Sequence, residues 1–199
     1  MPLWLVIGGI ASGKSIWAEQ FIEDKLKHDE VEYIATVDES LISPDDWTWH
    51  EKIKEHRRRR PKSWTVWHDA DNPIRRILTL PPTHSVLWDG VGPYISRYLS
   101  RPERSERLGG NKSHNSQDTG NLVHSPNENW EERLFDISRR QADTVIVSEE
   151  TGMGLMPIDP DMYDFVHTLG KFNQIASHYA TGVIFIVAGI PLWIKGGPQ

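Results

Sequence analysis

Short apolar runs rich in β-branched residues alternate along this chain with stretches whose apolar positions recur at helical spacing. The runs predict strands at Leu3–Ile7, Glu32–Thr36, Ser85–Trp88, Thr144–Val147 and Val183–Val187. The helical stretches extend from about Lys14 to Lys27, Pro44 to Arg60, Trp130 to Gln141 and Pro160 to Tyr179. The last is the clearest, with Met162, Phe165, Val166, Leu169, Phe172, Ala176 and Tyr179 predicted to form one apolar face. The second helix has well-marked ends. Ser43 suits its cap, Pro44 its first position, and Asp45 and Asp46 the positive end of its dipole. Arg57, Arg58, Arg59 and Arg60 fall at the negative end, and Pro61 stops it. This alternation is that of a layered α/β domain with a mostly parallel central sheet flanked by helices.

One segment breaks the pattern. From Arg101 to Asn129 there are no aromatics, and Leu108, Leu122 and Val123 are the only large aliphatics. Such a composition buries too little surface to offset the entropy of ordering, so a mobile loop is predicted there. The strand pattern resumes directly after it, which argues for a single domain over residues 1–199 rather than a boundary.

Composition narrows the partners. The net charge of −6 and pI near 5.8 argue against a general nucleic-acid binder. With no cysteine, disulfides and thiolate metal sites are excluded, which suits a reducing cytoplasm. Met1 to Ile10 is apolar but short and has no basic residues ahead of it, so it reads as a buried strand. No stretch approaches the roughly 20 apolar residues of a membrane-spanning helix. The nine histidines show no paired metal-ligand spacing, and most of the nine tryptophans are expected as core or half-buried anchors.

The strongest chemical signal is Gly8-Gly9-Ile10-Ala11-Ser12-Gly13-Lys14-Ser15, which fits G-x-x-x-x-G-K-[ST] between a strand and a helix. Loop amides and the helix N-terminus suit phosphates, Lys14 the β- and γ-phosphates, and the Ser15 hydroxyl a Mg²⁺ ion. The motif specifies a nucleoside triphosphate but no one reaction. A second strand, Val86-Leu87-Trp88-Asp89, ends in a carboxylate that would orient Mg²⁺ or its water shell. Alone it reads as a turn-capping Asp; beside the phosphate loop the metal reading is preferred.

In Ile53-Lys54-Glu55-His56-Arg57-Arg58-Arg59-Arg60-Pro61, clustered positive charge would keep the imidazole neutral and nucleophilic, and the guanidinium groups could hold a triphosphate. Spacing alone fits a basic helix end equally well. Glu149 and Glu150 follow a strand, where ligands bind in open α/β sheets, and are read evenly as site acids or solvated loop acids.

Together these motifs resemble the bifunctional adenosylcobinamide kinase/adenosylcobinamide-phosphate guanylyltransferase family, a P-loop NTPase-like fold. The likeness extends to Ala18-Glu19, Tyr33-Ile34-Ala35-Thr36, Trp64, Val147 to Gly154, Pro157, Gly170, Asn173-Gln174, and Val187 to Leu192 with Lys195. It spans nearly the whole chain outside the Arg101–Asn129 segment. It implies that ATP or GTP phosphorylates adenosylcobinamide, and that GMP passes from GTP to the phosphate through an enzyme histidine. By resemblance His56 takes the guanylylated position. Arg57 to Arg60, Thr36, Val37 and Asp38 fall where the family binds nucleotide, and a cytoplasmic homotrimer is implied.

The chain also departs from the family pattern. Glu149 stands where the family usually has Asn, and Gly90-Val91-Gly92 replaces Cys-Leu-Thr. His68, beside Asp69, replaces an acid near the nucleotide, and His167 replaces an Asp in the last helix. A carboxylate added near phosphates repels them unless a cation intervenes. Two rivals follow: a P-loop kinase of another small alcohol, and a degenerate nucleotide-binding homologue without turnover.

Overall fold

The computed structural model describes residues 3–26 (of Lys25 the backbone only), 30–37, 43, 45–47, 51, 54–55, 58–69, 71–100 and 129–197. The segment predicted to be mobile lies outside the described residues except for Asn129. So does much of the predicted helix from Pro44 to Arg60, although Trp47, Glu51, Lys54, Glu55, Arg58 and Arg59 are helical.

The strands are β1 (Leu3–Gly8), β2 (Val31–Ala35), β3 (Thr65–His68), β4 (Ser85–Asp89), β5 (Thr144–Glu149), β6 (Gly182–Val187) and β7 (Ile190–Lys195). The helices are α1 (Lys14–Phe21), continued by a π turn at Ile22–Leu26, then α2 (Pro73–Thr79), α3 (Val91–Leu99), α4 (Trp130–Ser138) and α5 (Pro160–Tyr179). The strands form one sheet in the order β3-β2-β4-β5-β1-β6-β7, parallel throughout except for the antiparallel β6–β7 hairpin. Central strands such as Ser85-Val86-Leu87-Trp88 are buried on both faces, which is why they read as unbroken apolar runs.

Helices cover both faces. Trp88, Ile146, Leu3 and Leu5 pack with Ile77 of α2, Tyr94 of α3, Leu134 of α4 and Phe172 of α5. On the other face Val6, Val145, Val147 and Ile184 pack with Ala18 and Phe21 of α1 and with Trp64. Trp88, Tyr94, Trp130 and Phe172 meet edge-to-face, with linked ring centroids 5.4–6.3 Å apart.

Several elements differ from those expected. The first helix keeps α geometry only to Phe21 and then relaxes into the π turn. α4 stops at Ser138 rather than Gln141. α5 has the expected bounds because Asp159 accepts from the Met162 amide at 2.9 Å and Pro160 opens it, but Met162 itself is exposed. β3, α2, α3 and β7 were not expected.

At the amino-terminal edge of β2 and β4, His84 is set between two carboxylates. Nδ1 lies 2.9 Å from Glu32 Oε1 and Nε2 lies 3.0 Å from Glu30 Oε2. The second oxygen of the buried Glu32 accepts from Trp67 Nε1 at 2.6 Å. Removing the ring leaves a buried carboxylate half-satisfied. His84→Ala is therefore expected to cost about 1–3 kcal/mol, seen as a fall of roughly 3–10 °C in Tm by circular dichroism. Because this cluster joins the opposite end of the sheet from the phosphate loop, nucleotide affinity should stay near the parent value.

Candidate functional site

The parallel strands β4, β5 and β1 lie side by side, and their carboxyl ends carry Asp89, Glu149 and Gly8 in neighbouring positions. The register pairs Asp89 with Val147 and Gly8 with Glu149. Binding sites of open α/β sheets form at this edge.

The predicted phosphate loop leaves β1 here. Its bend depends on positive φ at Ala11 (59°) and Gly13 (93°), the second a conformation for which glycine is suited. A side chain at Gly8 would press on Ser12 Oγ at 2.6 Å and on the Ile186 carbonyl at 2.7 Å. The Gly189 amide, in the β6–β7 turn, donates to the Ser12 carbonyl at 2.8 Å, and the Glu150 amide donates to Gly8 O at 3.1 Å. Both strands flanking β1 thus brace the loop. Lys14 Nζ curls back to the Gly9 carbonyl at 3.3 Å, and Ile10 projects into solvent. Among the described residues, Ser12 Oγ is buried with no hydrogen-bond partner, an unmet polar group at the bend of the loop.

Ser15 Oγ donates to Asp89 Oδ1 at 3.0 Å, and the Tyr33 hydroxyl donates to Asp89 Oδ2 at 2.5 Å. The two predicted metal residues are therefore adjacent. Hard oxygen donors of this kind suit Mg²⁺, so the residues fit the ion. Burial and the neighbouring Asp89 push the Tyr33 phenol well above its ordinary range, so it stays a donor to that carboxylate.

Of the basic run, Arg58, Arg59 and Arg60 are described; His56 and Arg57 lie outside the described residues, as does Asp38. Arg58 is exposed. Arg59 Nε lies 3.1 Å from Glu19 Oε2 on α1, and the Arg60 guanidinium sits 3.5 Å above the Tyr33 ring. Burial raises the Glu19 carboxyl above its ordinary range, with Arg59 pulling it back. The end of the arginine run is thus fastened to the phosphate-loop helix through Glu19, and through Tyr33 to Asp89. Neither Glu19 nor Tyr33 stood out as a site residue, because their importance lies in contacts distant in sequence.

Thr36 and Val37 follow β2 beside Asp89. Thr36 is buried, and its hydroxyl donates to the Gly90 carbonyl. His68 ends the edge strand β3, exposed, opposite Ala35. Asp69 accepts from Asn72 N at 2.9 Å and from Arg76 Nε at 3.2 Å, which makes it part of the turn into α2. His167 is exposed on α5 and stacks with Tyr163. Glu150 accepts from the Gly152 amide at 2.6 Å in an exposed loop. Glu149 turns inward, with Oε2 accepting from Gly92 N at 2.7 Å. Burial raises its carboxyl above the ordinary range, while Lys14 pulls it down.

Residues 4–194 match the protein family described as cobinamide kinase / cobinamide phosphate guanyltransferase. The chain is 30% identical over 194 residues to the bifunctional adenosylcobalamin biosynthesis protein CobU of Escherichia coli, covering 96% of this chain and 98% of that one. It is 29% identical over the same length to the CobU protein of Salmonella typhimurium, with the same coverage. The bifunctional adenosylcobalamin biosynthesis protein CobP of Pseudomonas aeruginosa is 28% identical over 198 residues, with 98% of each chain covered.

Proposed function

The chain belongs to the cobinamide kinase / cobinamide phosphate guanyltransferase family, and we propose that it carries out both reactions of cobalamin assembly with His56 as the covalent nucleophile. In the first, the hydroxyl of adenosylcobinamide attacks the γ-phosphorus of ATP or GTP, and the nucleoside diphosphate leaves. In the second, a ring nitrogen of His56 attacks the α-phosphorus of GTP and pyrophosphate leaves. The adenosylcobinamide phosphate then takes the GMP from the histidine, giving adenosylcobinamide-GDP.

The observation that carries this reading is the run of contacts from Arg60 through Tyr33 and Asp89 to Ser15. It fastens the basic segment that ends in Arg60 to the carboxylate facing the phosphate loop, so two phosphate-handling elements converge. The nucleotide site is assigned to Gly8 through Ser15, with Thr36, Val37, Asp38, His68 and Arg57 through Arg60 around it. Ser15 and Asp89 would hold Mg²⁺, which neutralises charge on the phosphate oxygens when bound. Lys14 supplies further positive charge, and the loop amides orient the phosphates.

We further assign a cytoplasmic homotrimer. Exposed Met153, Leu155, Met156 and Ile158, in sequence just beyond β5, support an assembly that covers them. Among the described residues no helix is long and apolar enough to cross a membrane.

One incubation tests the two reactions. With α-labelled GTP alone, label should appear on the protein with release of pyrophosphate. Adding cobinamide and ATP should move the label to a cobinamide product. A chain that phosphorylates cobinamide but never takes up α-label would be a kinase alone.

A further inference from the structure

We propose that Glu149 is the general base of the phosphorylation step, taking the proton of the acceptor hydroxyl as its oxygen attacks the γ-phosphorus. The inference rests on the kinase reading above. In the step the new O–Pγ bond forms, and the bond from Pγ to the bridging oxygen breaks. The electron pair leaves on the nucleoside diphosphate, and the proton passes to the Glu149 carboxylate and then to water.

Position is the first argument. β5 runs between the strand that feeds the phosphate loop and the strand that ends in Asp89. Glu149 is its last residue, paired in register with Gly8, where that loop begins.

Orientation is the second. Gly92 N–H holds Oε2 at 2.7 Å, and a side chain at Gly92 would meet that oxygen at 2.6 Å. A side chain there would push the carboxylate out of this position. From behind, Asn173 Nδ2 donates to the Glu149 carbonyl at 3.0 Å while Ser148 Oγ holds Asn173 Oδ1 at 2.6 Å. The Gly92 bond therefore positions the carboxylate and the Asn173 bond its backbone before substrate arrives.

Electrostatics is the third. Among the described residues the charged groups facing it are Lys14 from α1 and Asp89 from β4; α3 presents the Gly92 amide and α5 the neutral Asn173. Burial outweighs Lys14 and leaves the carboxyl readier to bind a proton than an ordinary glutamate. The neighbouring acids are otherwise engaged. Asp89 takes Ser15 on one oxygen and Tyr33 on the other, and Glu150 serves an exposed turn.

A carboxylate that merely capped the start of α3 would show the same bond to Gly92. Glu149→Gln separates the two roles, because the amide oxygen can still accept that N–H but cannot take up a proton. The parent is expected to lose phosphorylation rate as pH falls through the titration of Glu149, above the ordinary carboxylate range. The variant should phosphorylate about 10²–10⁴-fold more slowly, with that acidic limb gone. A carboxyl whose pKa is raised on folding weakens the fold at pH above its unfolded value, and the cost is relieved as pH falls. The Gln variant should therefore melt no lower than the parent at neutral pH, and it should still take α-label from GTP. A variant that phosphorylates at the parent rate with the parent's acidic limb overturns the assignment. So does a variant whose rate falls with its Tm while the limb persists. A parent chain that phosphorylates no cobinamide removes both the function and its base.

Discussion

Lys14→Ala is expected to stop both reactions. One ammonium group serves the phosphates of whichever nucleotide occupies the loop, so its loss cannot be confined to one step. In the structure Lys14 Nζ rests on the Gly9 carbonyl across the mouth of the loop, and the Ser12 hydroxyl beneath is buried and unmet. Taking away the cation leaves loop amides to face a polyanion without its counter-charge. Losing one preorganised donor to developing charge typically costs 10²–10³ in rate. Phosphorylation and α-label uptake should each fall by at least about a hundredfold, with weaker GTP binding by calorimetry. The fold should survive, since the Gly189–Ser12 and Glu150–Gly8 bonds do not involve this side chain. GTP affinity and turnover equal to the parent's would rule out the assigned phosphate site.

His56→Ala should have an equally large but selective effect. Label from α-labelled GTP should drop to background while phosphorylation survives better, because only the guanylyl step needs a covalent intermediate. A neutral imidazole beside guanidinium groups can attack an α-phosphate whose charge those groups offset. The adduct is a phosphoramidate. Protonating its ring nitrogen improves the leaving group, so label on the denatured parent should be released at low pH and retained at high pH. Arg59 and Arg60 keep their own partners, Glu19 and Tyr33, whatever residue stands at 56. A variant that binds GTP but takes no label would thus have lost the imidazole rather than the segment's moorings. Equal labelling of variant and parent would place the nucleophile elsewhere.

The parts of the fold and site that are local in cause were readable from the chain. The phosphate loop is one contiguous run between a strand and a helix, and α5 carries its own cap and periodicity. What stayed hidden depends on partners far along the chain. β3 is four residues long and mostly exposed, so it lacks the apolar run of a central strand. α3 begins Val91-Gly92-Pro93, a sequence that suggests a loop. It becomes helical with Glu149 accepting from its Gly92 amide and Thr36 bonding to Gly90, contacts that no window of sequence contains. By their place at the strand's end alone, Glu149 and Glu150 read alike. The strand's alternation sends one inward and leaves the other on the exposed turn. The arginine run was legible as charge, but not as a pair of contacts to Glu19 and Tyr33.

The placement of β1 also bears on how the protein is made. β1 leaves the ribosome well before its two sheet neighbours, Thr144–Glu149 and Gly182–Val187. The Gly189 amide that steadies the loop comes later still. Pairings this distant in sequence pay their loop-closure entropy before any contact rewards it, so they form late. The growing chain therefore carries β1 without either sheet neighbour until Thr144–Glu149 has emerged. The loop after β1 gains its Gly189 brace only when the β6–β7 hairpin has emerged, and until then β1 is an apolar segment open to mispairing.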